Sequence, residues 1–308
     1  MTNALRRLIG ATSVLPLLGL MACGGGSDGG PGSAAGPVVP AKGAALAVST
    51  SNYQDVAVDA VNTAVQFAGQ SSVATLTGSL AEGTVPCAGG GSIRASLGAG
   101  RDGVLNEFGE TATLTFNACA QDGYVFNGQL TLGLTAKPTG SVGSGVYSVD
   151  AALLMSGFSA NDGRVTLVAN GLVDLHASRT GTDTGVDTVR TSALALGLTP
   201  SGGSQRLYAL HDFVSDTAWT AGARAATYAG SLTSSLWGNR SVDFQTTTPF
   251  TTAAGATFPS DGVAIALGSG GSKATLTVLD ATQVRLDLDR TGDSTVDATT
   301  SLSWSAIL

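Results

Sequence analysis

A short acidic run near the C-terminus has the residue types of a cation site. Its carboxylates are those of Asp287, Asp289, Asp293 and Asp297. The first three take positions one, three and seven of a loop with glycine at position six, which is the spacing of an EF-hand calcium loop. The twelfth position, where that loop needs a bidentate acid, is Ala298, and the flanking residues alternate as in strands. The run therefore favours an acidic hairpin turn, with a calcium site outside the EF-hand class as the alternative.

The two histidines, His176 and His211, are the side chains that could act as a general base for a serine nucleophile. His211 and Asp212 follow an alternating segment, so their side chains should point to opposite faces of a strand. No catalytic set is assembled by residue spacing, and we expect both histidines to be structural. An anchored hydrolase that uses aspartates, with or without His211, is the alternative.

Two glycine patterns match enzyme motifs by spacing alone. Residues 25–29 fit G-x-S-x-G, but no strand precedes them and no helix follows. Residues 98–103 fit G-x-G-x-x-G, but no helical stripe follows that could bind a dinucleotide phosphate. A chain with 43 glycines contains such matches by chance, so we predict turns and no cofactor.

The N-terminus has the pattern of a secretory signal. A basic start precedes an apolar segment over residues 8–20, which is too short to span a membrane. The sequence Leu20-Met21-Ala22-Cys23 resembles the lipobox of bacterial lipoprotein signal peptides. The resemblance implies a signal peptide over residues 1–22, a diacylated Cys23 as the first mature residue, and a lipid anchor. Gly24 in the next position implies the outer membrane.

The composition limits the partners of the chain. Residues 23–43 are rich in Gly, Ser, Ala and Pro and predict a flexible tether before a single domain over residues 44–308. The chain has 15 Lys and Arg against 22 Asp and Glu, and loss of the two signal arginines would leave 13 against 22. An acidic domain lacks the clustered cations that nucleic acids bind. We expect attachment to the membrane through the acyl anchor and no nucleic-acid partner.

With Cys23 lipidated, Cys87 and Cys119 are the remaining cysteines. In an oxidising compartment an even number of cysteines predicts a disulfide. A redox pair or a metal site is the alternative, but the two are not spaced as C-x-x-C and no histidine lies near either. We predict a structural disulfide, which stabilises the fold by about 3 to 4 kcal/mol in the chain-entropy model.

One helix is indicated over residues 51–68. Apolar residues repeat there at helical spacing, and Ser51 with Gln54 has the pattern of a capping box. The opposite face carries Asp55 and Asp59 without a base, which disfavours binding to a membrane surface. We expect the apolar stripe to pack on a sheet.

The remaining sequence alternates between apolar and polar residues in short runs, which predict β-strands. Nine such runs cover residues 74–80, 111–118, 126–136, 147–157, 163–177, 186–198, 206–214, 273–280 and 282–289. Turn signals lie at Asp102-Gly103, Asp122-Gly123, Asn127-Gly128, Asp162-Gly163, Asn170-Gly171 and Asp261-Gly262. No long helix separates the strands, so the fold should be mainly β, an antiparallel meander that forms a sandwich, a barrel or a strongly curved sheet.

An internal repeat joins two parts of this region. Arg179-Thr180-Gly181 matches Arg290-Thr291-Gly292, and Val186-Asp187 matches Val296-Asp297. The similarity extends over residues 156–196 and 267–304, and each copy is interpreted as three strands and two turns. The repeat predicts two related β units within one domain.

Three segments carry a family resemblance: Cys87 followed by "AGGGSI", the segment "TLTFNACAQDGYVFNGQLTL", and the closing "VRLDLDRTGD…LSW". They resemble a group of uncharacterised β-rich proteobacterial outer-membrane lipoproteins. The resemblance covers most of the chain after the tether and brings no catalytic residues with it.

The anchor and the β architecture favour a non-catalytic envelope protein with a binding or scaffolding role. The ligand could be apolar, held against the curved sheet, or a glycan stacked on Trp219 or Trp237; Trp304 ends an alternating strand and should lie in the core. An envelope-assembly chaperone is a further alternative and predicts an exposed apolar groove.

Overall fold

The computed structural model describes residues 38–68, 82–98, 105–121, 123–141, 144–181 and 183–307. The chain forms one helix, α1 (Tyr53–Ala68), followed by strands. The strands are β1 (Gly83–Pro86), β2 (Ser92–Leu97), β3 (Thr111–Gln121), β4 (Tyr124–Leu134), β5 (Thr139–Ser141), β6 (Val146–Asn161), β7 (Val165–Gly181), β8 (Thr184–Pro200), β9 (Arg206–Thr220), β10 (Ala223–Ser234), β11 (Arg240–Thr252), β12 (Asp261–Leu267), β13 (Lys273–Val278), β14 (Gln283–Asp289) and β15 (Ala298–Ser303).

All fifteen strands belong to one antiparallel sheet. Each strand pairs with the next along the chain, except that β4 pairs with β6 and the short β5 pairs only with β6. Sequential neighbours with short connections make a meander. The predicted mainly β, antiparallel meander is confirmed.

A line of β-bulges crosses the long central strands. The strand residues with positive φ at these register shifts are Ala118, Gly128, Gly157, Gly171, Asp212 and Gly230. At Gly128 a side chain would collide with the carbonyl oxygen of Gly157 on β6, so this approach requires glycine. A bulge also moves the buried positions by one residue: on β6, Met155 is buried before the bulge and Phe158 after it. The bulges let strands of up to 17 residues bend while one face stays apolar.

The inner face, which we define as the face that α1 packs against, is the core of the domain. The helix contacts β8, β9, β10, β12, β13 and β14. Trp304, after β15, stacks near Phe258 and donates its indole N–H to the Pro259 carbonyl oxygen at 3.1 Å. In a flat sheet β15 would lie about 14 Å from β12, which begins two residues after Pro259. The sheet is therefore curved around its inner face, and the predicted core position of Trp304 is confirmed.

Three of the predicted turns are wrong. Asn127-Gly128 lies within β4 and Asn170-Gly171 within β7, where glycine permits a bulge instead of a turn, and Asp261-Gly262 forms the start of β12. Residues 165–181 therefore form one continuous strand, β7. The two repeat units, over residues 156–196 and 267–304, have only their final hairpin in common. The predicted strand at 74–80 and turn signals at residues 102, 103 and 122 lie outside the described residues.

The predicted helix is confirmed, but its predicted capping box is wrong. Gln54 donates its side-chain N–H to the Tyr53 hydroxyl at 3.2 Å instead of reaching back to Ser51. Asn52 precedes the helix, and its side-chain oxygen accepts the Ser49 N–H at 2.8 Å. This local bond turns the chain into the helix from the preceding segment.

Candidate functional site

The apolar face of α1 leaves a crevice against strands β10 to β13. Its cavity volume is about 10 Å³, room for about one water molecule. The helix lines it with small side chains only, those of Ala57, Ala60, Val61 and Ala64. Tyr228 and Phe244 form the larger walls on the sheet, together with alanines of β12 and β13. Gln245 and Thr246 of β11 also line the crevice, but most of the lining side chains are apolar or aromatic, so the crevice suits an apolar group.

Small residues on both sides explain why the crevice exists. Ala264 and Ala274 on the sheet face the alanines of α1, while Tyr228 and Phe244 are much larger and keep the helix from settling closer. Tyr228 is buried, and burial raises the pKa of its hydroxyl to about 12. The hydroxyl therefore stays neutral across the physiological range.

The chain before α1 forms a strap, residues 44–50, that fixes the start of the helix. The Leu46 N–H donates to the Ser241 carbonyl oxygen at 2.8 Å, and the Leu46 carbonyl oxygen accepts the Ser269 N–H at 2.8 Å. Because the strap is hydrogen-bonded to β11 and to the β12–β13 connection, the N-terminal end of α1 cannot leave the sheet without breaking these bonds.

The flank of α1 beside β9 carries Asp59, a half-buried residue with one carboxyl oxygen, Oδ2, fully buried. Tyr208 and Arg206 of β9 are the neighbouring groups that favour the charged form of this carboxyl. Within the described part of the chain, Asp59 Oδ2 is buried without a hydrogen-bond partner. Burial raises the pKa of Asp59 to about 7; Asp55 raises it further, while Arg206 and Tyr208 oppose the increase.

The sequence pattern assigns Asp59 to the polar face of α1, but in the structure one of its carboxyl oxygens is buried. The long strand β9 covers that flank. Its residue Tyr208 is distant from Asp59 in sequence but adjacent to it in the fold. A carboxylate at the edge of an apolar helical stripe is ordinarily solvated. The sequence therefore carries no local signal for its burial.

His211, Ser231 and Asp243 are cross-strand partners on β9, β10 and β11. The Ser231 hydroxyl donates to the Asp243 carboxylate, which also accepts from Lys42 Nζ at 2.6 Å. The hydroxyl proton is thus directed to Asp243 and away from His211, and Ser231 is only 2% exposed. The residue types of a serine triad meet here, but without the serine–histidine–aspartate order that proton transfer needs.

The histidines have different surroundings. His211 is buried, and its Nε2 has no hydrogen-bond partner among the residues described. Burial lowers the pKa of His211, and Lys42 lowers it further, although Asp212 opposes the change. His176 is partly exposed and its Nδ1 lies 2.7 Å from the Asp150 carboxylate. Both sets of contacts fit structural histidines.

An ion pair closes one end of the inner face. Arg179 Nη1 and Nη2 donate to the two oxygens of Asp187 at 2.6 and 2.8 Å. Trp219 donates its indole N–H to Asp187 Oδ2 at 2.6 Å, and its ring centre lies 5.4 Å from the Arg179 guanidinium carbon. The hydrogen bond to Asp187 is the main cause that raises the pKa of Arg179. Trp219, a predicted glycan platform, is occupied by this pair.

The acidic run forms a loop between β14 and β15 that is held by its own carboxylates. Asp289, which is buried, accepts the N–H groups of Gly292 at 2.7 Å and Ser294 at 2.8 Å, and Lys273 Nζ lies 3.1 Å away. Burial alone would raise the pKa of Asp289, but these donors outweigh it and lower the pKa.

The other candidate calcium ligands also accept hydrogen bonds from the protein. Asp287 accepts from Arg285 and Thr299, Asp293 from the Thr295 N–H, and Asp297 from the Arg290 N–H. In the described ranges no group of three or more His, Cys, Asp or Glu residues is arranged to hold a metal ion. These contacts hold the four carboxylates within an acidic turn between β14 and β15.

Cys87 and Cys119 form the predicted disulfide, with an S–S distance of 1.96 Å. It joins the segment after β1 to the bulged part of β3, and Cys119 is fully buried. The pairing is confirmed, and its position beside the bulge at Ala118 indicates a structural role.

Some predicted features lie outside the described residues. These are the signal peptide and Cys23, the first part of the tether, and the glycine motif at 25–29 together with most of that at 98–103. Among the helices that are described, none has the length and apolar character needed to cross a bilayer.

The chain was compared with protein-family models, with curated proteins and with solved structures, and none of the three comparisons gives a match.

Proposed function

We propose that the chain is a non-catalytic binding protein of the bacterial envelope that holds an apolar ligand in the crevice between α1 and β10 to β13. The observation that carries this proposal is the crevice itself. Small-molecule sites are concave and mostly apolar. The crevice has this character, but its cavity volume in this structure is only about 10 Å³, so a ligand enters when α1 moves away from the sheet. The ligand class is a small apolar molecule or the end of a longer apolar chain.

The remaining reactive side chains support a binding role over catalysis. Ser231 is buried with its proton directed to Asp243, and Asp187 is committed to Arg179 and Trp219. These groups hold strands together and are not open to a substrate.

The location is part of the same proposal and is supported by the sequence. The lipobox at Leu20–Cys23 and the tether over residues 23–43 suit an acyl anchor that presents the domain at the outer membrane. An anchored carrier that exposes a crevice for apolar groups would exchange its ligand close to the bilayer.

Filling the crevice tests the function. We suggest the full chain with Cys23→Ala, so that no detergent is needed, titrated with the neutral fluorophore N-phenyl-1-naphthylamine. Ala60→Phe places a ring in the crevice and should weaken fluorophore binding at least tenfold. Val58→Phe is the matched control, because Val58 lies on the same helix but does not line the crevice. It should leave binding within twofold.

Ala264→Leu fills the crevice from β12 and serves as a second variant if Ala60→Phe does not fold, as judged by circular dichroism. Equal affinity for the two phenylalanine variants, or unchanged binding in folded Ala264→Leu, would overturn the crevice as the site. Loss of binding in Ala60→Phe and Ala264→Leu, with binding retained in Val58→Phe, supports the crevice as the site.

A further inference from the structure

The crevice is roofed by a helix whose attachment to the sheet is uneven. The strap fixes the start of α1 through Leu46, which bonds to Ser241 and Ser269. Further along the helix, α1 contacts β9, and Asp59 on this flank has a buried carboxyl oxygen. Within the described residues, movement of α1 away from the sheet would pivot about this hydrogen-bonded start, and Asp59 lies on the part of the helix that would move.

The ionised carboxylate of Asp59 destabilises the docked position of α1. Its Oδ2 is buried and lacks a hydrogen-bond partner within the described ranges, so the ionised carboxylate is only partly compensated there. A buried carboxylate without full hydrogen bonding is costly, whereas the neutral acid is tolerated. Two changes remove this cost: the carboxylate can bind a proton, or this flank of the helix can move away and expose the carboxylate to water.

The charged and titratable groups around Asp59 come from two elements. Asp55 lies one turn earlier on α1, and β9 contributes Arg206 and Tyr208. Tyr228 on β10 lines the crevice and stays neutral. Within the described ranges, no charged group of β8, β12, β13 or β14 contributes to the pKa shift of Asp59. Only Arg206 favours the charged carboxylate by its own charge, and Asp55 opposes it.

We propose that Asp59 is a proton-dependent latch on α1: the neutral carboxyl keeps the helix docked over the crevice, and loss of the proton releases this flank and opens the crevice to apolar ligands. The inference rests on the proposed function for its ligand, but the movement of the helix can be tested without one.

The direction follows from linkage. Burial raises the pKa of Asp59 from 3.8 to about 7, so the docked state binds the proton more tightly than the released state. Docking is strongest below about pH 4, weakens as the pH rises through the interval up to about 7, and changes no further above it. Acid closes the latch and neutral pH loosens it.

Hydrogen–deuterium exchange of α1 amides in the full chain measures the release. Comparing wild type with Asp59→Asn at the same pH cancels the intrinsic pH dependence of exchange. The ratio of the two rates should increase on the order of 100-fold from pH 5 to pH 8, since the asparagine cannot ionise.

Asp55→Asn is the control and should keep most of the increase, because Asp59 is intact. Tyr208→Phe should move the transition to higher pH, because the carboxylate loses a donor.

A ratio that stays constant between pH 5 and pH 8 would overturn the latch, and so would a Tyr208→Phe transition at the wild-type pH. N-phenyl-1-naphthylamine separates this proposal from the proposed function. If α1 responds to pH but the fluorophore does not bind in the crevice, the helix release stands and the binding function fails. If the fluorophore binds there and α1 does not respond, the binding function stands and the latch fails.

Discussion

Two hairpins of this sheet share a sequence signature and differ in structure. Arg179 pairs with Asp187 in the first, and Arg290 pairs with Asp297 in the second. The first pair is bidentate at 2.6 and 2.8 Å, with side chains 16% and 5% exposed. The second has a closest charged contact of 3.7 Å, with side chains 59% and 25% exposed. The same two residue types are therefore a buried ion pair in one copy and a surface contact in the other.

The first cause of this difference is the position in the sheet. The hairpin of β7 and β8 has neighbours on both sides, so Tyr147 on β6 and Trp219 on β9 flank its ion pair. The second hairpin ends the meander, because β15 pairs only with β14 among the described strands. No further strand of the described sheet covers Asp297.

The second cause is one residue before the arginine. Asp289 collects the N–H groups of Gly292 and Ser294, which holds the chain in a loop until β15 begins at Ala298. The first hairpin has Ser178 at the equivalent position, and its strands continue to Gly181. Where the first hairpin has paired strands, the second therefore has a loop, because the Asp289 carboxylate accepts main-chain N–H groups.

Asp187→Asn should cause the largest loss of stability, because it leaves the Arg179 charge buried without its counter-ion. Breaking a buried pair from one side costs about 3 kcal/mol or more. Urea unfolding followed by circular dichroism measures the change. Arg179→Met/Asp187→Leu removes both charges and should be closer to wild type than the single variant. A single variant as stable as the double would contradict a buried, mutually dependent pair.

Trp219→Phe should have an intermediate effect. It removes the indole N–H bond to Asp187 but keeps an aromatic face near Arg179, so the expected loss is about 1 to 2 kcal/mol. Trp237→Phe makes the same side-chain change away from the ion pair and serves as the control in the same urea titration. Equal losses for both tryptophans would show that ring size, and not the hydrogen bond to Asp187, determines the effect.

How far these features can be predicted depends on which contacts are local. Clear alternation predicts β7, β8, β13 and β14, and cysteine parity predicts the disulfide. The sequence of β10, "ARAATYAGSLTS", has small residues on both faces, so alternation does not reveal it. In β11, Pro249 suggests a break, but it lies where the pairing with β12 is interrupted, between Thr248 and Thr251, and a proline is tolerated there.

The candidate site is less predictable than the sheet. The alanines at positions 57, 60 and 64 are visible as a helical stripe, but a stripe cannot indicate whether it meets a flat wall or a crevice. The burial of Asp59 depends on Tyr208, which belongs to a distant strand. The bulges that set which residues face inward, such as the one at Gly157, require the pairing of several strands to be known first.

Asp297→Asn makes at the second hairpin the same substitution as Asp187→Asn and should have the smallest effect. Asparagine can still accept the Arg290 N–H, a bond of 2.7 Å in the wild type, so only the exposed charge contact is lost. Exposed ion pairs contribute about 0.2 to 1 kcal/mol and are screened by salt. The loss in urea unfolding should therefore be below about 0.5 kcal/mol and should disappear in 1 M NaCl, whereas the loss for Asp187→Asn should persist. A salt-resistant loss at Asp297 comparable to that at Asp187 would mean that sequence, and not position in the sheet, determines the strength of this pair.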